Sequence, residues 1–196
     1  MRKSMNLDSE LGQKFFYGIG VRKNYAKAFP LLFTAAENGD VHCQNLVGYC
    51  YDHGLGVNKS PQLAFEWYAK AASHSHIEAM GNLALCFTKG RGTIANKKEA
   101  FLLYKKAAEL GDAWAQCNLG LAYLEGAGVE VNDVEGVKWL RKGAYRQDSK
   151  AQYNLGIAYL EGEGTKRNRR NAITWLTKAA AQGHTKAKNI LDELKM

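Results

Sequence analysis

Three groups of residues in this 196-residue chain are of a type and spacing that could do chemistry. The first is a Gly-x-Gly pair that occurs five times, at Gly18/Gly20, Gly54/Gly56, Gly90/Gly92, Gly126/Gly128 and Gly162/Gly164. Such pairs cradle phosphate when they join a strand to a helix, because backbone N–H groups then converge on the anion. No strand pattern precedes any of them, so they read as turns. The second is His74-x-His76, which could begin a metal site, but without a Cys, Asp or Glu in a supporting ligand spacing no metal is expected. The third is the basic run Lys166, Arg167, Asn168, Arg169, Arg170. It could contact phosphate, yet no helix-turn-helix, zinc-finger or aromatic RNA-binding signature accompanies it. A solvated basic surface is the expected reading, with phosphate or nucleic-acid binding through Lys166, Arg167, Arg169 and Arg170 as the alternative. Nothing matches a nucleophile–base motif, so neither catalysis nor a cofactor is expected.

The glycine pairs recur every 36 residues without an insertion, and the segments around them recur too: Ala113–Val129 reads AWAQCNLGLAYLEGAGV and Ser149–Thr165 reads SKAQYNLGIAYLEGEGT. Self-similarity at such a period marks a repeat array in which each unit packs on its neighbours. Each period reads as two helices. Helix A is capped by Asp40, Asp112 or Asp148, less well by His76 or His184, and ends at the glycine pair. Helix B is capped by Asn24, Ser60, Asn96, Asn132 or Asn168. Small residues at Ala28, Ala64, Ala100, Gly136 and Ala172 let helices approach, and large ones follow at Leu31, Trp67, Leu103, Trp139 and Trp175. The expected fold is all-α: an α/α superhelix (solenoid) forming one domain over 1–196. Its five helix-turn-helix repeats span about 5–39, 40–75, 76–111, 112–147 and 148–183, with the first helix starting near Asn6 and a capping helix over 185–195.

Composition agrees. Apolar residues make up 46% and there are two prolines, which suits a helical chain with a continuous core. No apolar run is long enough for a membrane helix, and the N-terminus has no hydrophobic signal region, so the chain reads as cytoplasmic. Twenty-seven basic against nineteen acidic residues leave a net charge of +8, which biases association toward acidic partners. Cys43 takes a slot held by alanine in later repeats, as do Cys50 and Cys86, so these read as small buried hydrophobes. Cys43 and Cys50 stand about 10 Å apart along one helix, too far for a disulfide.

The pattern A-x-x-N-L-G-x-x-Y-x-x-G-x-G, carried by Ala151, Asn154, Leu155, Gly156, Tyr159, Gly162 and Gly164, resembles the Sel-1-like repeat family, relatives of tetratricopeptide repeats. So does the second half, at Ala64, Trp67, Tyr68, Lys70, Ala71 and Ala72. The resemblance implies a right-handed superhelix with A helices lining a concave face, used as a scaffold or adaptor. Cysteines that join adjacent helices in some secreted bacterial relatives are replaced here by Ala72 and Ala79, and by Ala108 and Ala115.

A protein or peptide partner is therefore expected on the A-helix face. The candidate residues there are His42, Asn45, Tyr49, Glu78, Asn82, Trp114, Cys117, Asn118, Leu124, Lys150, Tyr153, Asn154 and Leu160. Trp114 stands where other repeats carry His42, Glu78 and Lys150, and with Tyr153 it has the character of an interface hot spot. Asn82, Asn118 and Asn154 form a ladder that either binds an extended peptide or bridges neighbouring helices. An immunity or inhibitor protein that plugs a toxin or enzyme is the sharper alternative.

Overall fold

A computed structural model describes residues 2–194, with side chains from Leu7 to Leu194. Among these residues the chain forms eleven α-helices and no strand. The A helices are α1 (Arg2–Tyr17), α3 (Val41–His53), α5 (Ile77–Lys89), α7 (Ala113–Glu125), α9 (Ser149–Glu161) and α11 (Thr185–Glu193). The B helices are α2 (Tyr25–Glu37), α4 (Pro61–Ser73), α6 (Lys97–Glu109), α8 (Asp133–Tyr145) and α10 (Arg169–Ala181). They gather into two compact units, residues 1–96 and residues 97–196. None of the helices is long and apolar enough to cross a membrane.

Local chemistry sets the helix ends. The Asp40, Asp112 and Asp148 carboxylates accept from the backbone N–H of Cys43, Ala115 and Ala151 at 2.9, 2.6 and 2.6 Å. His76 and His184 do the same for Ala79 and Ala187 through Nδ1, at a longer 3.3 Å each. Asn24, Ser60, Asn132 and Asn168 cap B helices, and each returns its own N–H to a carbonyl of the preceding A helix, at Phe15, Tyr51, Tyr123 and Tyr159. That return bond fixes the linker register in every repeat.

The glycine pair has two separate causes. Its first member ends the A helix in the left-handed region, as Gly126 does at φ 65°. Its second member is also left-handed, and in the later repeats it lies against the first turn of the preceding B helix. A Cβ on Gly56, Gly92, Gly128 or Gly164 would strike the carbonyl of Tyr25, Pro61, Lys97 or Asp133. Gly20, with no B helix before it, has nothing within 4 Å of that position.

Small residues of the B helices are buried as the pattern requires: Ala28, Ala64, Ala100 and Ala172 are at most 4% exposed. Trp67, Trp139 and Trp175 are buried, each beneath a lysine ammonium three residues on, at 4.0, 3.7 and 4.3 Å from the ring centroid. A stitch not read from the sequence ties A helices to the B helices before them. The buried amides of Gln44, Gln116 and Gln152 donate to the carbonyls of Ala36, Ala108 and Ala144.

One helix limit differs from expectation and one lies outside the described residues. Helix α1 begins at Arg2 rather than near Asn6, because nothing among Arg2, Lys3, Ser4 and Met5 breaks a helix. Helix α11 is described to Glu193, so its expected end at Lys195 lies outside the described residues. Its Ala187 is fully buried, in a cluster with Leu176 and Ala179 of α10 that Leu191 also joins.

Candidate functional site

In the first unit the A-helix face is laced by polar side chains that reach from one helix to the next. The Tyr17 hydroxyl stands 3.4 Å from His42 Nε2, and His42 Nδ1 stands 3.3 Å from His76 Nε2. Asn45 donates to Glu78 Oε2 at 3.2 Å and accepts from Asn82 at 3.1 Å. Near the far end of α3, Arg91 Nη1 meets the buried Asp52 carboxylate at 3.1 Å. The exposed Tyr49 ring stacks on His53 at 4.1 Å. Burial shifts the ionisable groups here: it depresses the His76 imidazole, with His42 acting in the same direction and Glu78 and Asp40 opposing. The Tyr17 phenol is raised, first by burial and then by the Glu78 carboxylate. One ligand atom each of His42, His76 and Glu78 lies within 4.8 Å of the others.

The second unit uses the same slots differently. Asn118 and Asn154 donate to carbonyls of their own helices, at Trp114 and Lys150, 2.8 and 2.9 Å away. Helices α7, α9 and α11 leave a groove of about 610 Å³ between them. Leu121 and Glu125 line it from α7, Lys150, Tyr153 and Asn154 from α9, and His184 and Lys186 from the start of α11. Tyr153 stacks on His184 at 4.4 Å with 19° between the rings. Trp114 is half-buried and stands outside this groove, edge-on to Tyr104 at 5.6 Å.

Several expected site residues are not on an open face. Cys117 is fully buried among Leu140, Ala144, Ala151 and Leu155, because the fifth position of α7 turns inward toward α8 and α9. Burial pushes its thiol up to about 12, and the other three cysteines are likewise buried, with thiols at about 11 to 12. Asn45 is 3% exposed, its amide engaged by Glu78 and Asn82. Leu124 lies where a side chain on Gly136 of α8 would be, and Leu160 packs toward the Leu176 cluster, so both are half-buried against their own unit. Lys166, Arg167, Arg169 and Arg170 are exposed, and Arg169 donates to the Leu194 carbonyl.

The repeat pattern is matched by the Sel1 repeat family over residues 9–40, 41–76, 77–112, 115–148 and 149–184. The chain belongs to the Sel1 repeat family. Sel1 repeat proteins generally mediate protein–protein interaction and are typically non-catalytic scaffolds. A Sel1 repeat protein from Oxalobacter formigenes is 32% identical, with 95% of this chain aligned to 74% of that one and a TM-score of 0.89. A protective antigen with this fold from uropathogenic Escherichia coli is 28% identical, with a TM-score of 0.86. The alignment covers 97% of this chain but 41% of the antigen. An immunity protein from Pseudomonas aeruginosa, 20% identical over 90% of this chain and 68% of its own, shares the fold at a TM-score of 0.61. No curated protein matches the chain.

The 36-residue period brings together side chains that stand far apart along the sequence. His74-x-His76 lacks a supporting ligand spacing along the sequence, but in the fold His42 of the preceding repeat and Glu78, two residues on, stand beside His76. The Asp52–Arg91 pair joins residues 39 apart, close to one period plus a turn, which is the only signal that would have found it.

Proposed function

We propose that the A-helix face of the second unit binds a segment of a partner protein in the groove between α7, α9 and α11, and that the chain acts as a non-catalytic adaptor. The observation that carries this is the groove itself. Tyr153 and Leu121 offer an apolar wall, Lys150 and Lys186 offer two cations, and Asn154 stands beside them. A net charge of +8 supports an acidic segment as occupant. Nucleophilic catalysis by cysteine is disfavoured, because all four thiols are buried with raised pKa. In this reading the protein is cytoplasmic.

Site-specific photocrosslinking in cells of the native source tests the groove. A crosslinker at Asn154 should capture one partner, in competition with excess unlabelled protein, whereas the same group at the exposed Thr177 of α10 should not. Tyr153→Ala with Lys150→Glu should abolish capture and leave helicity unchanged. Capture that survives this change and disappears when Arg167, Arg169 and Arg170 are reversed to Glu would move the site to the basic segment. Phosphate binding there would also weaken steeply with salt.

A further inference from the structure

We infer that the first unit carries a binding site for a divalent transition-metal ion of the zinc class, formed by His42, His76 and Glu78. Two imidazoles and a carboxylate are a donor set that zinc takes in sites with one position left open. The spacing suits it. Two nitrogens bonded to one tetrahedral zinc at about 2.0–2.1 Å stand about 3.3–3.4 Å apart. His42 Nδ1 and His76 Nε2 stand 3.3 Å apart, with the rings inclined at 36°. Glu78 supplies the third ligand atom within 4.8 Å of both, on an exposed side chain.

A surrounding shell holds each ligand. With Nδ1 on the metal, His42 keeps its proton on Nε2, where the Tyr17 hydroxyl accepts it at 3.4 Å. Asn45 donates to Glu78 Oε2, which fixes the carboxylate and leaves its second oxygen as a ligand. Asn45 is in turn held by Asn82. For His76 to bind through Nε2, its proton moves to Nδ1, and the cap bond from Ala79 is given up. That bond is a long cap, 3.3 Å against 2.6–2.9 Å for the aspartates. The three ligands come from two repeats, so the ion would clamp α3 to the start of α5, and the fourth position remains for water.

The test is titration of tag-free, chelator-washed full-length protein with Zn²⁺ by calorimetry and with Co²⁺ by visible absorption. One equivalent should bind, the Co²⁺ bands should be those of a four-coordinate N/O site, and the melting temperature should rise with Zn²⁺. His42→Ala should weaken binding by about a hundredfold or more, and Tyr17→Phe by about tenfold, as loss of an outer-shell partner does. His76→Asn removes the ligand but keeps a good helix cap, so it should abolish binding while folding normally. The proposal is overturned if no equivalent binds. It is also overturned if uptake is unchanged in His42→Ala and His76→Asn but lost when His53, His74 and His184 are replaced together.

Discussion

The two units place the same repeat on their A-helix faces and use it in opposite ways. In the first, Asn82 reaches across to Asn45, Asn45 to Glu78, and Arg91 to Asp52, so neighbouring helices are cross-linked by polar side chains. In the second, Asn154 occupies the slot of Asn82 but turns to the Lys150 carbonyl on its own helix. The neighbour differs as well. The slot that carries Asn45 in the first unit carries Cys117 in the second, a weaker acceptor that Asn154 also reaches. An asparagine ladder in the sequence is therefore two different structures, one bonded across helices and one bonded within its own helix.

The largest effect should come from breaking the strongest cross-link. Arg91→Leu leaves the Asp52 carboxylate, 4% exposed, with only the His53 imidazole 3.9 Å away. Loss of one partner of a buried pair costs about 3–5 kcal/mol, and because Arg91 is itself partly exposed about 2–4 kcal/mol is expected. Hydrogen exchange should locate the loss in residues 1–96, and adding Asp52→Leu should recover part of it. Exchange accelerated equally in both units would break the comparison.

The next test concerns a feature the units share. Gly164→Ala should destabilise by about 2–4 kcal/mol, through left-handed strain of about 1–2 kcal/mol and a clash with the Asp133 carbonyl. Gly20→Ala, at φ 70° but in open space, should show the strain alone. Equal melting temperatures for the two variants would contradict the packing explanation.

Smaller changes compare the asparagines directly. Asn45→Ala should cost about 1 kcal/mol, with a coupling to Asn82→Ala of about 0.5–1 kcal/mol in a double-mutant cycle. Asn154→Ala should stay within about 0.5 kcal/mol of the parent, since its amide bonds its own helix and alanine is the better helix former. A coupling near zero in the first unit would mean that the Asn45–Asn82 bond exists without contributing. The smallest expected signal is chemical: native protein at neutral pH should react negligibly with iodoacetamide, because all four thiols are buried with raised pKa. Fast labelling of Cys117 would place it on an open face after all.

Residue order alone determined the repeat period, the helix caps, the glycine turns and the rows of alanine and tryptophan, because each depends on residues within a few positions or at one fixed interval. Asp112, Gly126 and Trp139 could be assigned roles from their neighbours along the chain, and they hold those roles in three dimensions. The A-helix face was legible only as a set of positions. Whether Asn45 is buried or Cys117 exposed depends on which side chain the next helix presents, and that helix lies roughly 36 residues away. The same holds for His42, His76 and Glu78, which form a cluster only when α3 and α5 lie side by side. Tertiary structure decided these cases because hydrogen bonds and ligand geometry need contact within a few ångström, and a periodic sequence specifies neighbours but not where their side chains turn.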